Sequence, residues 1–514
     1  PEFLPDPFLH HYHYPERDRA FRMIHFPEES SEPFIARQRF TYEELFLFEL
    51  GVAHFRKNLL ERTTSPTFQQ TEPYTVSFFR EQLPFELTDG QKNALSQIKH
   101  DLRSGQQMNR LLQGDVGSGK TVVAIGAILM ALDNGYQAAF MAPTEILAEQ
   151  HFRTLESYLK PLGINIRLLV GQQNSRLRED ILTDVQSGRA QIVVGTHAII
   201  QKEVTFAKLG LFVIDEQHRF GVNQRGELLQ KGRHLHVLVM SATPIPRSLA
   251  LTLYSDMDIS VIKELPSGRK PIKTAVRYDN KREQVYEFMA EHLREGGQIY
   301  IVYPLVEESE MLDLKHATEG FEAVSNRFPD YKTGLLHGRM KSEEKDAVMR
   351  SFIDGETQIL VSTTVIEVGV DVPNANVMVI EHAERFGLSQ LHQLRGRIGR
   401  GSRKSFCILM TNKQINDTAR KRLKTMERTS SGFEIAETDL QLRGPGDFLG
   451  TRQSGLPDFK FADIVADQTT LEKAKADAWN LLREDPELQK TVNKRLKPVF
   501  EKYISRNASF FSLI

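Results

Sequence analysis

At 514 residues the chain is too long for one hydrophobic core, and ordinary domain sizes divide it into roughly three or four units. Hydrophobic residues at 40% and charged residues at 26% exclude a disordered chain, and a formal net charge of -1 excludes a global basic surplus for binding nucleic acid. The single cysteine, Cys407, excludes a disulfide framework and a Cys-based zinc site, and no stretch approaches the ~20 apolar residues of a membrane span. A reducing cytoplasm and no membrane partner are expected. The chain opens on Pro1 with neither Met nor a signal segment, so it reads as a piece of a longer protein or as one that lost a Met ahead of proline.

Residues 1–74 are rich in Pro, His and Phe and carry an apolar helical pattern from Glu43 to Val52, which predicts a helical adaptor. His10, His11 and His13 are joined by no carboxylate or cysteine cluster at a metal-binding spacing. From about Phe85 short apolar runs alternate with helical stretches, the texture of βαβ units and a parallel sheet. Leu111–Gln113, Ala138–Met141, Ile192–Val194, Phe212–Ile214 and Val237–Met240 are the expected strands of a first lobe, residues 75–265. After a Pro-bounded linker at Pro266 to Pro271, a second lobe over residues 266–428 repeats the arrangement with Ile299–Val302, Gly334–Leu336, Ile359–Val361, Val377–Ile380 and Phe406–Met410. Residues 429–514, charged and glycine-rich at their start, form a smaller C-terminal unit.

Gly114-Asp115-Val116-Gly117-Ser118-Gly119-Lys120-Thr121 fits G-x-x-x-x-G-K-[ST] between an apolar run and a helical pattern. Glycines let backbone N–H groups face phosphates, Lys120 reaches the β and γ phosphates of ATP, Thr121 ligates Mg²⁺, and the helix N-terminus adds its positive end. Leu211 to His218 supplies the rest of such a site at the end of a buried strand: Asp215 to hold Mg²⁺, Glu216 to polarise water, and His218 to sense the γ-phosphate or the neighbouring lobe. Upstream, Gln91 offers an amide to an adenine edge and Phe85 a ring for stacking.

With these motifs and Ser241-Ala242-Thr243 in order, the sequence resembles a superfamily 2 helicase of the DExH kind. Val361 to Asp371 is similar to that superfamily's fifth motif and Gln393 to Arg400 to its sixth. The resemblance implies two tandem RecA-like lobes, with ATP and Mg²⁺ as cofactors. It also implies Gln393 as a catalytic-site residue, Arg397 and Arg400 as fingers reaching the γ-phosphate, Gly369 and Asp371 at the nucleotide, and Ser241 and Thr243 in coupling. DNA contacts carried over with it are Pro143, Thr144, Glu145, Gly171, Thr196, His197, Thr363 and Thr364. Such small or hydroxyl-bearing positions suit backbone contacts that do not read sequence.

Val213 to Val222, Met141 to His151 and Leu442 to Gly455 narrow the resemblance to the RecG family. The last stretch looks like a translocation motif shared with the transcription-repair coupling factor, so Arg443, Arg452 and Gln453 are expected to couple hydrolysis to movement. That family carries a wedge domain of OB type ahead of the motor, and this sequence is expected to begin just after it, so fork recognition is not carried over to this chain. From Arg395 to Arg428, eleven Lys or Arg face two acids; the part beyond Arg400 is either a phosphate-binding stripe or a solvated face. The expectation is a monomeric, DNA-dependent ATPase motor of the bacterial cytoplasm, acting on branched, forked or duplex DNA in fork reversal and branch migration. The rival readings are a duplex translocase of the coupling-factor type and a nucleotide-gated DNA-binding scaffold without turnover.

Overall fold

The computed structural model describes residues 1–62, 65–171, 173–216, 235–242, 257–266, 270–304, 310–363, 372–399, 401, 403–449, 459–463 and 466–511, without the side chains of 58–62, 310–315, 342, 443–449 and 509. Two compact units contain them: residues 1–64 with 245–258 and 440–514, and residues 65–244 with 259–439.

The larger unit holds two sheets. The first contains β1 (Asn109–Gly114), β2 (Gln137–Met141), β3 (Ile166–Leu169), β4 (Ile192–Gly195), β5 (Leu209–Asp215), β6 (His236–Ser241) and β7 (Asp258–Ile262), in the order β3-β4-β2-β5-β6-β1-β7. The pairs β1/β6, β5/β6, β2/β5, β2/β4 and β3/β4 are all parallel. The second contains β8 (Lys273–Tyr278), β9 (Gln298–Val302), β10 (Thr333–Leu336), β11 (Ile359–Ser362), β12 (Ala375–Ile380) and β13 (Phe406–Thr411), in the order β10-β11-β9-β12-β13-β8, again parallel. Every strand expected from an apolar run is present, because strands covered on both faces read as continuous apolar segments. β2, β4 and β9 are buried at every position.

The helix Lys120–Asp133 is apolar all round and almost wholly buried, packing with the helix Asp89–Arg103 against the first sheet around Ile98, Ile125, Phe140 and Val213. In the smaller unit the helix Glu32–Arg62 lies against the helix Gln468–Glu484, with Tyr42, Phe46, Leu50, Leu471 and Ala478 in their shared core. Tyr12 and Tyr42 both donate to Asp477 Oδ2, at 2.8 and 2.7 Å, which fixes the register of that packing. Among the described residues, no helix is long and apolar enough to cross a membrane, and no group of three His, Cys, Asp or Glu is placed to hold a metal ion.

Candidate active site

β1 carries Gly114 to the carboxyl edge of the first sheet, and five residues turn the chain into the helix Lys120–Asp133. Gly117 and Gly119 take φ of 78° and 83°, a region that side chains disfavour. A Cβ on Gly119 would sit 2.2 Å from Gln91 Nε2, so glycine is required there for space as well. Lys120 Nζ donates to the Gly114 and Asp115 carbonyls at 2.7 and 3.0 Å, and Thr121 stands in the first helical turn, beside N–H groups that the helix itself leaves unpaired.

Gln91 is buried beneath this loop. Its Oε1 accepts from the Thr88 N–H at 2.9 Å, completing a capping box, and its Nε2 donates to the Ser118 carbonyl at 2.8 Å. The amide expected to meet an adenine edge therefore braces the phosphate loop in this arrangement, while Phe85 is 40% exposed.

Two strands away, β5 ends at Asp215; β6 lies between, with Ser241 opposite Gln113 and Met240 opposite Asp215. At a strand spacing of about 4.8 Å, this sets Asp215 roughly 10 Å across the sheet edge from the end of β1, on the carboxyl edge where ligands of such sheets bind. His151, on the helix Glu145–Leu159, lies 2.8 Å from Asp215 Oδ2 through Nε2, its ring against Phe140. Burial pushes the Asp215 carboxyl up, but the His151 hydrogen bond and the charges of His151, Lys120 and Arg397 outweigh it and hold Asp215 below the usual carboxylate range. The next residue, Glu216, has φ of 55° and donates its N–H to the Met240 carbonyl at 3.0 Å. A non-glycine held there costs about 1–3 kcal/mol and turns the side chain out of the strand's alternation.

The second lobe meets the loop through the helix Leu388–Arg395 and the turn after it. Arg397 is 8% exposed, and its charge is among those that depress Asp215, so a cation of the second lobe acts on the carboxylate of the first. A Cβ on Gly396 would lie 2.9 Å from Val116 Cγ2, so the absence of a side chain allows this close approach. Asp115 accepts from His392 Nε2 and from the Gly432 N–H, both at 3.0 Å. Arg395 donates through Nη2 to His392 Nδ1 at 3.1 Å, which places the imidazole proton on Nε2, and through Nη1 to the Met426 and Thr429 carbonyls at 2.9 and 2.8 Å. Gln393 is half-buried on the same helix.

The residues expected at DNA fall into two groups. Thr144 caps the helix Glu145–Leu159, and Glu145 Oε1 accepts from the Gly171 N–H at 2.9 Å, so Pro143, Thr144, Glu145 and Gly171 come together. The Thr196 N–H donates to the Leu169 carbonyl at 3.3 Å, and His197 beside it is exposed. Thr363 is fully buried, its hydroxyl without a hydrogen-bond partner among the described residues. His218, Thr243, Thr364, Gly369, Asp371, Arg400, Arg452 and Gln453 lie outside the described residues; Arg443 lies in the helix Gly432–Leu449, its side chain also outside them. Sequence reasoning gave no role to His151, His392 or Gly432, since a lone histidine on an amphipathic helix carries no spacing signal.

Residues 88–252 match the model of the DEAD/DEAH box helicases, 280–402 that of the helicase conserved C-terminal domain, and 429–506 that of the C-terminal part of domain 3 of ATP-dependent DNA helicase RecG. ATP-dependent DNA helicase RecG of Bacillus subtilis is 47% identical over 486 residues, which cover 94% of this chain and 71% of that protein. The chain belongs to the RecG family. RecG of Synechocystis sp. is 50% identical over 497 residues, 96% of this chain but 60% of the relative. The structure of RecG bound to a three-way DNA junction matches with a TM-score of 0.74 at 45% identity, covering 92% of this chain and 62% of that one. The chain thus spans about three fifths of those two RecG proteins. The helicase MrfA bound to DNA, at 18% identity and a TM-score of 0.52, shows a shared fold alone.

Proposed function

We propose that this chain is the ATP-dependent motor of a RecG-type DNA helicase, hydrolysing ATP between its lobes and converting lobe movement into stepping along duplex or branched DNA. The observation that carries this is the meeting of two lobes at the phosphate loop: Asp115 accepts from His392 of the second lobe at 3.0 Å, and Val116 lies against Gly396. A site assembled from two bodies makes hydrolysis depend on their closure, which is what a motor requires.

The phosphate loop fits a nucleoside triphosphate, with glycine-cleared space, a buried lysine and a helix N-terminus; the ionised Asp215 and Thr121 fit Mg²⁺. The ion, when bound, neutralises phosphate charge. In this reading Lys120 holds the β and γ phosphates, Glu216 orients water, and His218, Gln393, Arg397 and Arg400 complete the site. Pro143, Thr144, Glu145, Gly171, Thr196, His197, Thr363 and Thr364 track the DNA backbone, Ser241 and Thr243 link the lobes, and Arg443, Arg452 and Gln453 couple hydrolysis to movement. The working division is residues 1–74, 75–265, 266–428 and 429–514, in a cytoplasmic monomer serving fork reversal and branch migration.

Displacement of a third strand from a triplex needs translocation but no strand separation at a fork, so it tests stepping directly. ATP-driven displacement that disappears in Lys120→Ala is the expected result. ATP hydrolysis without displacement on any triplex would refute the motor and leave a DNA-binding ATPase.

A further inference from the structure

Asp115 has a conspicuous set of partners for a residue at a variable position of the phosphate motif. Its backbone carbonyl accepts from Lys120 Nζ at 3.0 Å, while its carboxylate accepts from His392 at 3.0 Å through Oδ1 and from the Gly432 N–H at 3.0 Å through Oδ2. One residue thus joins the ammonium that meets phosphate, the helix that leads into Arg397, and the start of the helix Gly432–Leu449. The pair is largely withdrawn from solvent, with side chains 13% and 8% exposed. Behind it, Arg395 is anchored on the Met426, Thr429 and Ser430 carbonyls and orients His392 from its other nitrogen. Burial raises the Asp115 carboxyl, yet the His392 hydrogen bond, the Gly432 N–H and the Lys120 charge together hold it ionised below its ordinary range. An ionised, nearly dry carboxylate shared by three elements is sensitive to small displacements, because a lost partner leaves a buried charge unpaired.

We propose that Asp115 and His392 are positioning residues that tie the phosphate loop to the second lobe and to the segment beginning at Gly432, so that phosphate binding at Lys120 is relayed to both. A triphosphate competes with the Gly114 and Asp115 carbonyls for the Lys120 ammonium. Withdrawal of that donor loosens the Asp115 backbone, and the carboxylate carries the shift to His392, five residues before Arg397, and to Gly432. Neither residue touches the nucleotide's reacting atoms through its side chain in this scheme; they set where Arg397 stands. The inference rests on the motor reading for its purpose, but the linkage can be measured without it.

The test uses the full chain with His392→Ala, His392→Gln, Asp115→Ala and the double variant D115A/H392A. His392→Ala should lower kcat for ATP at least about tenfold while KM stays within about threefold, the pattern of a lost transition-state contact. His392→Gln, whose amide N–H can stand where Nε2–H stood, should recover to within about threefold of the parent. The double variant should be no more than about twofold slower than the slower single variant, since both remove one linkage. Additive losses, or a Gln variant no better than Ala, would overturn the proposal. A second readout does not depend on turnover: amide hydrogen exchange at Gly432 should quicken about tenfold in Asp115→Ala, as expected for loss of roughly 1.4 kcal/mol of protection. Unchanged exchange at Gly432 would overturn the linkage even if turnover fell. If no DNA alters turnover in the parent, the motor reading fails, while the kcat pattern and the exchange rate still decide the linkage.

Discussion

In the proposed motor Arg397 completes the ATP site from the second lobe, and its charge is among those that hold Asp215 low. An arginine that stabilises charge at the transferring phosphoryl group can contribute about 10³–10⁵ in rate. Arg397→Ala should therefore cut kcat by at least about a thousandfold while ADP affinity, measured by calorimetry, changes far less. A loss within about threefold would mean that Arg397 serves only to balance buried charge. The candidate site positions that lie at fixed spacing, Gly114 to Thr121 and Asp215 with Glu216, are legible in the sequence because a single loop or strand end carries each set. Their partners His151 and His392 are not, since only the fold brings them to Asp215 and Asp115. Gln91 was legible as a conspicuous amide, but its two hydrogen bonds to Thr88 and Ser118 depend on where the loop of a neighbouring element ends.

At the scale of elements, the strands that sequence reasoning passed over are β3, β7 and β8, and all three stand at sheet edges. An edge strand is covered less completely, so Lys273 to Tyr278 mixes Lys, Thr and Arg with Ala and Val and shows no continuous apolar run. The adaptor helix was visible from Glu43 to Val52, but its cover was not: the helix Gln468–Glu484 lies more than four hundred residues away in sequence. Glu49 sits on that adaptor helix, wholly buried, with neither carboxylate oxygen hydrogen-bonded among the described residues. Burial pushes its carboxyl up to about 7, against a smaller opposing effect of Lys475. A raised carboxyl favours the folded state only while it is protonated, so stability should fall as pH rises from about 4.5 through about 7 and then level off, a loss on the order of 3 kcal/mol. Glu49→Gln should remove that slope, raising the urea midpoint at pH 8 while leaving it nearly unchanged at pH 4.5. Trp479, the one tryptophan of the chain, lies in the covering helix and reports this transition by fluorescence. Equal midpoints for Glu49→Gln and the parent at pH 8 would show that Glu49 is ionised without penalty.

For the whole molecule, the repeated alternation of apolar runs and helical stretches was enough to foresee two parallel-sheet lobes, since each lobe is a local βαβ series. The assembly of residues from both ends of the chain into one unit was not foreseeable, because nothing local encodes which distant helix covers an apolar face. If, as proposed, DNA favours the closed arrangement in which Arg397 completes the ATP site, ATP binding and DNA binding are thermodynamically linked, and hydrolysis follows the closed population. The most direct measurement is the steady-state rate of ATP hydrolysis by the chain without DNA and with single-stranded DNA, blunt duplex and a three-way junction, for the parent and Arg397→Ala. Duplex-bearing DNA should raise the parent rate, and Arg397→Ala should abolish the stimulated part of it. A parent rate that is the same with every DNA as with none would contradict the account.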